Sequence, residues 1–147
     1  MMKLVVFYEK PFCAANAKQK AILRASGCTL IERNLLEHGL QHETLRSFMG
    51  DKPVIEWFNP AAPAIKNGQV LPDTLDELQA IELLMNDPIL IRRPLMIIGT
   101  EKLCGFDDKK VSEVLDRYVE PMPKINCMEK GCLEKYNKIS LINSPTD

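Results

Sequence analysis

Lys3-Leu4-Val5-Val6-Phe7-Tyr8-Glu9-Lys10-Pro11-Phe12-Cys13-Ala14-Ala15-Asn16 carries the chain from its first regular element into its second. Lys3 to Tyr8 is a short apolar and aromatic run with the composition of a buried strand. After Pro11, residues Ala14, Ala17, Ala21, Ile22 and Ala25 recur at helical spacing, with Lys18, Gln19, Lys20 and Arg24 opposite them. Cys13 therefore falls in a helical first turn, where unpaired N–H groups and the helix dipole favour an anion. A thiol held there can ionise well below its free value of about 8.5 and act as a nucleophile. The plainer reading is a small side chain packed and inert under that turn. Asn16 reads as an ordinary solvent-facing residue.

Working outward, Ser26-Gly27 ends the helix, since glycine after the last periodic residue is a common C-cap. Cys28 to Asn34 reads as a second strand, which makes a βαβ unit with parallel strands. His38 to Met49 is helix-compatible through Leu40, Leu45 and Phe48, and Pro53 can open a short helix through Trp57. Asn59-Pro60-Ala61-Ala62-Pro63 and Asn67-Gly68 mark a loop. Asp73 or Thr74 is the expected cap of a helix whose face is Leu75, Leu78, Ile81, Leu84 and Met85. Beyond Pro94 the chain regains a strand's composition. Gly99-Thr100-Glu101-Lys102 predicts a turn into an antiparallel strand, Leu103 to Phe106. Asp107 or Asp108 caps a last helix with Val111, Val114, Leu115 and Tyr118 on one face. The order predicts an α/β fold, a mixed sheet with helices packed on it.

The chain has 147 residues, 46% of them apolar and 27% charged, which suits one ordinary domain with a buried core. Its formal net charge of -1 gives no reason to expect nucleic acid or an anionic membrane as a partner. No run reaches transmembrane length, and five scattered cysteines do not form a secreted disulfide framework, so a cytoplasmic protein is the expectation.

The strand, the Pro-x-Cys helix start, the helical middle and Pro88-Ile89-Leu90-Ile91-Arg92-Arg93-Pro94 together resemble the arsenate reductase (ArsC/Spx) family of thioredoxin-like proteins. Gly99-Thr100 and Leu103-Cys104-Gly105-Phe106 continue the match. The Glu9-Lys10-Pro11-x-Cys13 start with Asn16, the Glu56-Trp57-Phe58-Asn59-Pro60 segment and the cysteine-bearing end resemble its nitrogenase-associated subgroup. The resemblance implies a thioredoxin-like domain over residues 1–119, with a helical insertion at about 38–87 and a tail at 120–147.

It also implies that Cys13 is the redox thiol and that Pro94 is the cis-proline facing it. Arsenate reductases of this family hold the oxyanion with three arginines. Arg93 corresponds to one, while the other two fall near Phe58-Asn59 and Gly105. Lys10, Lys52 or Arg92 are the available replacements. Each charge-assisted hydrogen bond to an anion is worth about 1.5–3 kcal/mol, so two losses weaken an oxyanion clamp by orders of magnitude. The Spx branch has a C-x-x-C pair where this chain has Asn16, so Cys13 has no local disulfide partner.

The implied function is a thiol-disulfide or glutathione-linked oxidoreductase connected with nitrogen fixation. The alternative is a non-catalytic Spx-like interaction module, and arsenate reduction is a lesser one. No bound cofactor is expected. Glutathione, glutaredoxin or thioredoxin would serve as reductant, and a nitrogenase-related protein is the partner the subgroup suggests. Cys127, Cys132 and Cys104 are the available resolving thiols; Cys28 and Cys104 also read as core residues. His38 and His42 share a helical face but lack a third ligand, so no metal is expected.

Overall fold

A computed structural model of the chain describes residues 3–37 and 40–121. β1 (Lys3–Glu9), α1 (Ala14–Ala25) and β2 (Cys28–Asn34) form the expected unit, with β1 and β2 parallel and Lys3 opposite Cys28. The chain then builds a helical segment before returning to the sheet. It contains α2 (His42–Met49), a 3₁₀ turn at Val54–Trp57, the single turn α3 (Pro63–Lys66) and α4 (Glu77–Asn86), with further 3₁₀ turns at Pro72–Thr74 and Pro88–Leu90. β3 (Leu95–Ile98) runs antiparallel to β1, and β4 (Glu101–Cys104) antiparallel to β3. The strand order is β2-β1-β3-β4, and α5 (Asp108–Leu115) closes the described chain.

Strand alternation sorts the core into two layers. Val5 and Phe7 face Ile22, Leu23, Met96, Ile98, Val111 and Leu115 on the α1/α5 side. Leu95 and Cys104 face the helical segment, where Phe48, Met49, Trp57, Phe58, Ile81 and Leu84 are buried. Each fully buried side chain of this size contributes about 1.5–3 kcal/mol, so the segment between β2 and β3 is a core layer of its own.

Several boundaries differ from expectation, each for a physical reason. In α1, Ala14, Ala17, Ala21 and Ala25 are exposed, and Ala15, Asn16, Gln19, Ile22 and Leu23 are buried. Ile22 and Leu23 bury far more apolar area than alanine, so they set the helix rotation. Ala15, Asn16 and Gln19 follow inward at the three-, four- and seven-residue spacings. The cap of α4 is Asp76, not Asp73 or Thr74: Asp76 accepts from the Gln79 amide while the Gln79 side chain accepts from the Asp76 amide, a reciprocal capping box. Leu75 precedes that helix, and Leu78 and Met85 are exposed, so its buried face is Ala80, Ile81 and Leu84.

β4 begins at Glu101, because Gly99 with φ +62° turns the chain tightly and pairing resumes with Ile98 opposite Glu101. Asp107 caps α5 as expected, but the left-handed Asp116 ends it, leaving Tyr118 outside the helix and exposed.

Candidate active site at the start of the first helix

Cys13 is the N-cap residue of α1, with φ -83° and ψ 119°, and its sulfur accepts the Asn16 amide at 3.5 Å. Sulfur thus takes the place that a serine or aspartate oxygen usually fills at a cap. The Cys13 amide donates to the Lys10 carbonyl at 3.3 Å, so the turn 10–13 folds back on itself. Phe12 completes the turn with φ +63°, a conformation that costs a non-glycine residue about 1–2 kcal/mol. It holds its ring half in solvent beside a cysteine that is only 3% exposed.

Asn16 is the residue that sequence reasoning missed. It is 1% exposed, its Oδ1 accepts the Lys10 amide at 3.0 Å, and its Nδ2 donates to Gln19 Oε1 at 2.8 Å. One side chain therefore ties the strand exit to the first turn of the helix on either side of Cys13. The available signal was its place three residues after a polar N-cap, together with a glutamine one turn further on. Lys10, expected as an anion-binding side chain, is fully buried.

The Arg93–Pro94 segment is positioned by sheet register. Tyr8 pairs with Leu95, so Pro94 follows beside the exit of β1, and the Arg93–Pro94 bond is cis. Arg93 is 8% exposed, and its Nη1 donates to the carbonyls of Ile89 and Ile91 at 3.2 and 3.4 Å. It is not an exposed strand-end charge. An isolated antiparallel bridge, Phe58 to Ile91, brings the Trp57–Asn59 segment alongside. The Asn59 amide donates to Leu90 O at 2.7 Å and the Arg92 amide to Trp57 O at 3.0 Å.

Where the resemblance places two further arginines, near Phe58-Asn59 and Gly105, Asn59 is buried with an Nδ2 that has no partner among the described residues. The stem of Arg92 crosses Gly105, with Cδ 3.0 Å from where a Cβ would stand. Of the candidate replacement cations, Arg92 occupies the space over Gly105, and Lys52 lines a groove beside β4 to which Cys104 and Gly105 also contribute.

The other thiols are differently placed. Cys104 is buried, its Sγ donates to the Arg92 carbonyl at 3.6 Å, and burial pushes its pKa up to about 12. A thiol that remains protonated is a poor resolving nucleophile, so the core role fits Cys104. Burial also raises Cys28, against the opposing pull of Arg117 and Lys3. Cys127, Cys132 and His38 lie outside the described residues. No group of three or more metal-binding side chains occurs among the described residues, and no described helix is long and apolar enough to cross a membrane.

The ArsC family model matches residues 8–114. A Rhodospirillum rubrum protein named "Uncharacterized 15.7 kDa protein in draG 3'region" is 49% identical over 108 residues, covering 74% of this chain and 76% of that protein. The global transcriptional regulator Spx 2 of Bacillus cereus is 23% identical over 118 residues, 79% of this chain and 90% of that one. Among solved structures, an arsenate reductase from Vibrio cholerae superposes with a TM-score of 0.63 at 20% identity, covering 79% of this chain and 98% of that one. An arsenate reductase related protein from Brucella melitensis gives 0.56 at 22%, covering 74% and 92%. The fold is therefore the thioredoxin-like α/β fold of these proteins, and the chain belongs to the ArsC family.

Proposed function

We propose that the protein is a thiol oxidoreductase in which Cys13 is the nucleophile. The observation that carries this reading is the Cys13 sulfur at the N-cap of α1, accepting the Asn16 amide at 3.5 Å. A hydrogen-bond donor and a positive helix end both favour thiolate over thiol. In the proposed step the Cys13 thiolate attacks a disulfide or a glutathione adduct. A Cys13 mixed disulfide forms and the other sulfur leaves as a thiolate. Asn16 stands where a local resolving cysteine would be, so an external thiol completes the cycle. A thiolate of glutathione, glutaredoxin or thioredoxin attacks the substrate-derived sulfur of the mixed disulfide, a new S–S bond joins that sulfur to the reductant, and Cys13 leaves as thiolate. In this reading Arg93, in the segment that leads through Pro94 into β3, supplies positive charge to that end of the sheet.

Thiol pKa and alkylation kinetics test this directly. Cys13 should alkylate ahead of Cys28 and Cys104, with a pKa below the free value of about 8.5. A pKa near that of free cysteine with slow alkylation rules the enzyme reading out and leaves an Spx-like interaction module. The connection with nitrogen fixation rests on the subgroup resemblance. Growth of a deletion strain on dinitrogen against fixed nitrogen is the measurement that tests it.

A further inference from the structure

In an antiparallel ladder each residue's N–H and C=O point to the same side, and successive residues alternate. The Gly105 amide donates to the Pro94 carbonyl at 2.8 Å. The Cys104 carbonyl, on the other side of that peptide unit, therefore points away from β3. Cys104 lies opposite Leu95 and Lys102 opposite Ile97, so the amides and carbonyls of Lys102 and Cys104 face outward. Those of Leu103 pair with Met96 instead. β4 ends the strand order β2-β1-β3-β4, and the four outward groups have no hydrogen-bond partner among the described residues. Cys104 is nonetheless buried. About one buried backbone group in ten or fewer lacks a partner, so this edge is set apart from an ordinary solvated one.

The edge lines a groove of about 370 Å³, bounded by the end of α2 with Gly50 to Lys52 and by the start of α5. The four residues of β4 span about 13 Å, the length of a single short extended segment. A second copy would bring its own α2 and α5, which meet these walls before two edges reach the pairing distance of about 4.8 Å.

The side chains around the edge set the chemistry of the occupant. Cys104 faces the helical segment, so Lys102, two residues earlier, shares that side, and Leu103 faces the other. Lys102 Nζ donates to Ser47 Oγ at 3.0 Å and stands 5.6 Å from the centre of the Phe48 ring. Lys52 comes from the α2 end of the groove, and neither ammonium forms a salt bridge among the described residues. Asp51 is the one acid from that end. At the other wall Lys110 is offset by Glu101 and by Asp107, whose Oδ1 already accepts the Lys109 and Lys110 amides. An added strand thus meets an excess of positive charge at Lys102 and none at the α5 wall.

We propose that β4 takes up an extended segment of a partner protein as a fifth, antiparallel strand, with an acidic side chain opposite Lys102. Main-chain hydrogen bonds to Lys102 and Cys104 hold the segment, and the opposed charges select it. This role is independent of the chemistry proposed for Cys13.

The test is NMR titration of the full chain with the peptide acetyl-Thr-Val-Glu-Lys-Thr-amide, whose glutamate falls opposite Lys102. Saturable amide shifts are expected at residues 50–52 and 101–105, with hydrogen exchange at Lys102 and Cys104 slowed about tenfold or more. The same peptide with its glutamate N-methylated, or replaced by lysine, should bind about tenfold more weakly. Lys102→Glu should reverse the preference between the glutamate and lysine peptides. The absence of saturable shifts at millimolar peptide overturns the proposal. Equal binding of the N-methylated peptide overturns it too, because main-chain pairing is then not used, and equal binding of the lysine peptide rules out an acidic partner. A concentration-dependent dimer that protects the Lys102 and Cys104 amides without peptide also overturns it, because a second copy is then the occupant.

Discussion

Cys13 and Cys104 are almost equally hidden, at 3% and 4% exposure, yet Cys13 Sγ accepts a hydrogen bond where Cys104 Sγ donates one. Cys13 sits at a helix start and receives a backbone N–H. Cys104 sits at a strand end in an apolar layer and gives its hydrogen to the Arg92 carbonyl. Burial alone raises a thiol's pKa, as it does for Cys104. What separates the two is whether the nearest polar group is a donor, which favours the thiolate, or an acceptor, which favours the thiol. The role proposed for Cys13 therefore rests on its hydrogen bonding and not on its exposure.

The sharpest way to break this contrast is pH-dependent alkylation. With a pKa of about 12, Cys104 is thiolate in a fraction on the order of 10⁻⁴ at pH 8. Its labelling rate should climb about tenfold per unit from pH 8 to pH 11. Mass spectrometry of partly labelled protein should find Cys13 modified orders of magnitude sooner. Equal rates would mean that the folded protein opens before either reacts.

Next in size, Cys13→Ser should slow thiol-disulfide exchange by about 10²-fold or more, while Cys104→Ser leaves exchange near its original rate. Cys104→Ser should instead lower the unfolding midpoint, because a hydroxyl enters an apolar layer. If Cys104→Ser abolishes exchange in a protein that still melts normally, the core role given to Cys104 is wrong.

Asn16→Ala strips the Lys10 amide of its acceptor and Gln19 of its donor, at a cost of about 1–3 kcal/mol. Chemical denaturation reads that loss, and slower alkylation of Cys13 reads the loosened turn. Stability lost with the alkylation rate unchanged would confine Asn16 to a structural role. On the other side of the comparison, Gly105→Ala forces a side chain into φ +84° and against the Arg92 Cδ. About 1–2 kcal/mol of destabilisation is expected, with Cys13 chemistry unaltered.

The smallest effect is expected at Glu32. Hydrogen bonding from Arg24, with Lys20 nearby, holds this carboxyl below the usual range. A lowered folded pKa stabilises above the unfolded value of about 4.3, and the gain is lost as pH falls through the folded value. The carboxyl is 42% exposed, so screening leaves no more than about 0.5 kcal/mol. Glu32→Gln should therefore reduce stability slightly at pH 7 and leave it unchanged near pH 2, as read by thermal melts.

Much of the frame was legible in the sequence because local signals agreed with one another. The apolar run before Pro11, the glycine after α1, the proline opening the 3₁₀ turn at Val54–Trp57 and the Asp107 cap all act within a few residues of themselves. Helix faces were less legible. The alanine stripe of α1 matched the helical period, yet Ile22 and Leu23 decided the rotation by buried area. That decision carried Asn16 and Gln19 inward, and Asn16 could be recognised only once its partners were known. The same holds at Arg93, whose neighbour Pro94 was visible but whose bonds to Ile89 and Ile91 depend on how the chain enters β3.

The sequence by itself determined the order of elements and the place of Cys13 at the first turn of a helix. Capping, turn formation and periodicity are short-range effects written in neighbouring residues. The tertiary structure alone decided that Lys10 and Asn16 are buried together and that Arg92 lies across Gly105. It also decided that Cys104 is sealed in a core layer. Those outcomes depend on which surfaces meet across the sheet. That is set by the total apolar area buried, a quantity no single stretch of the chain contains.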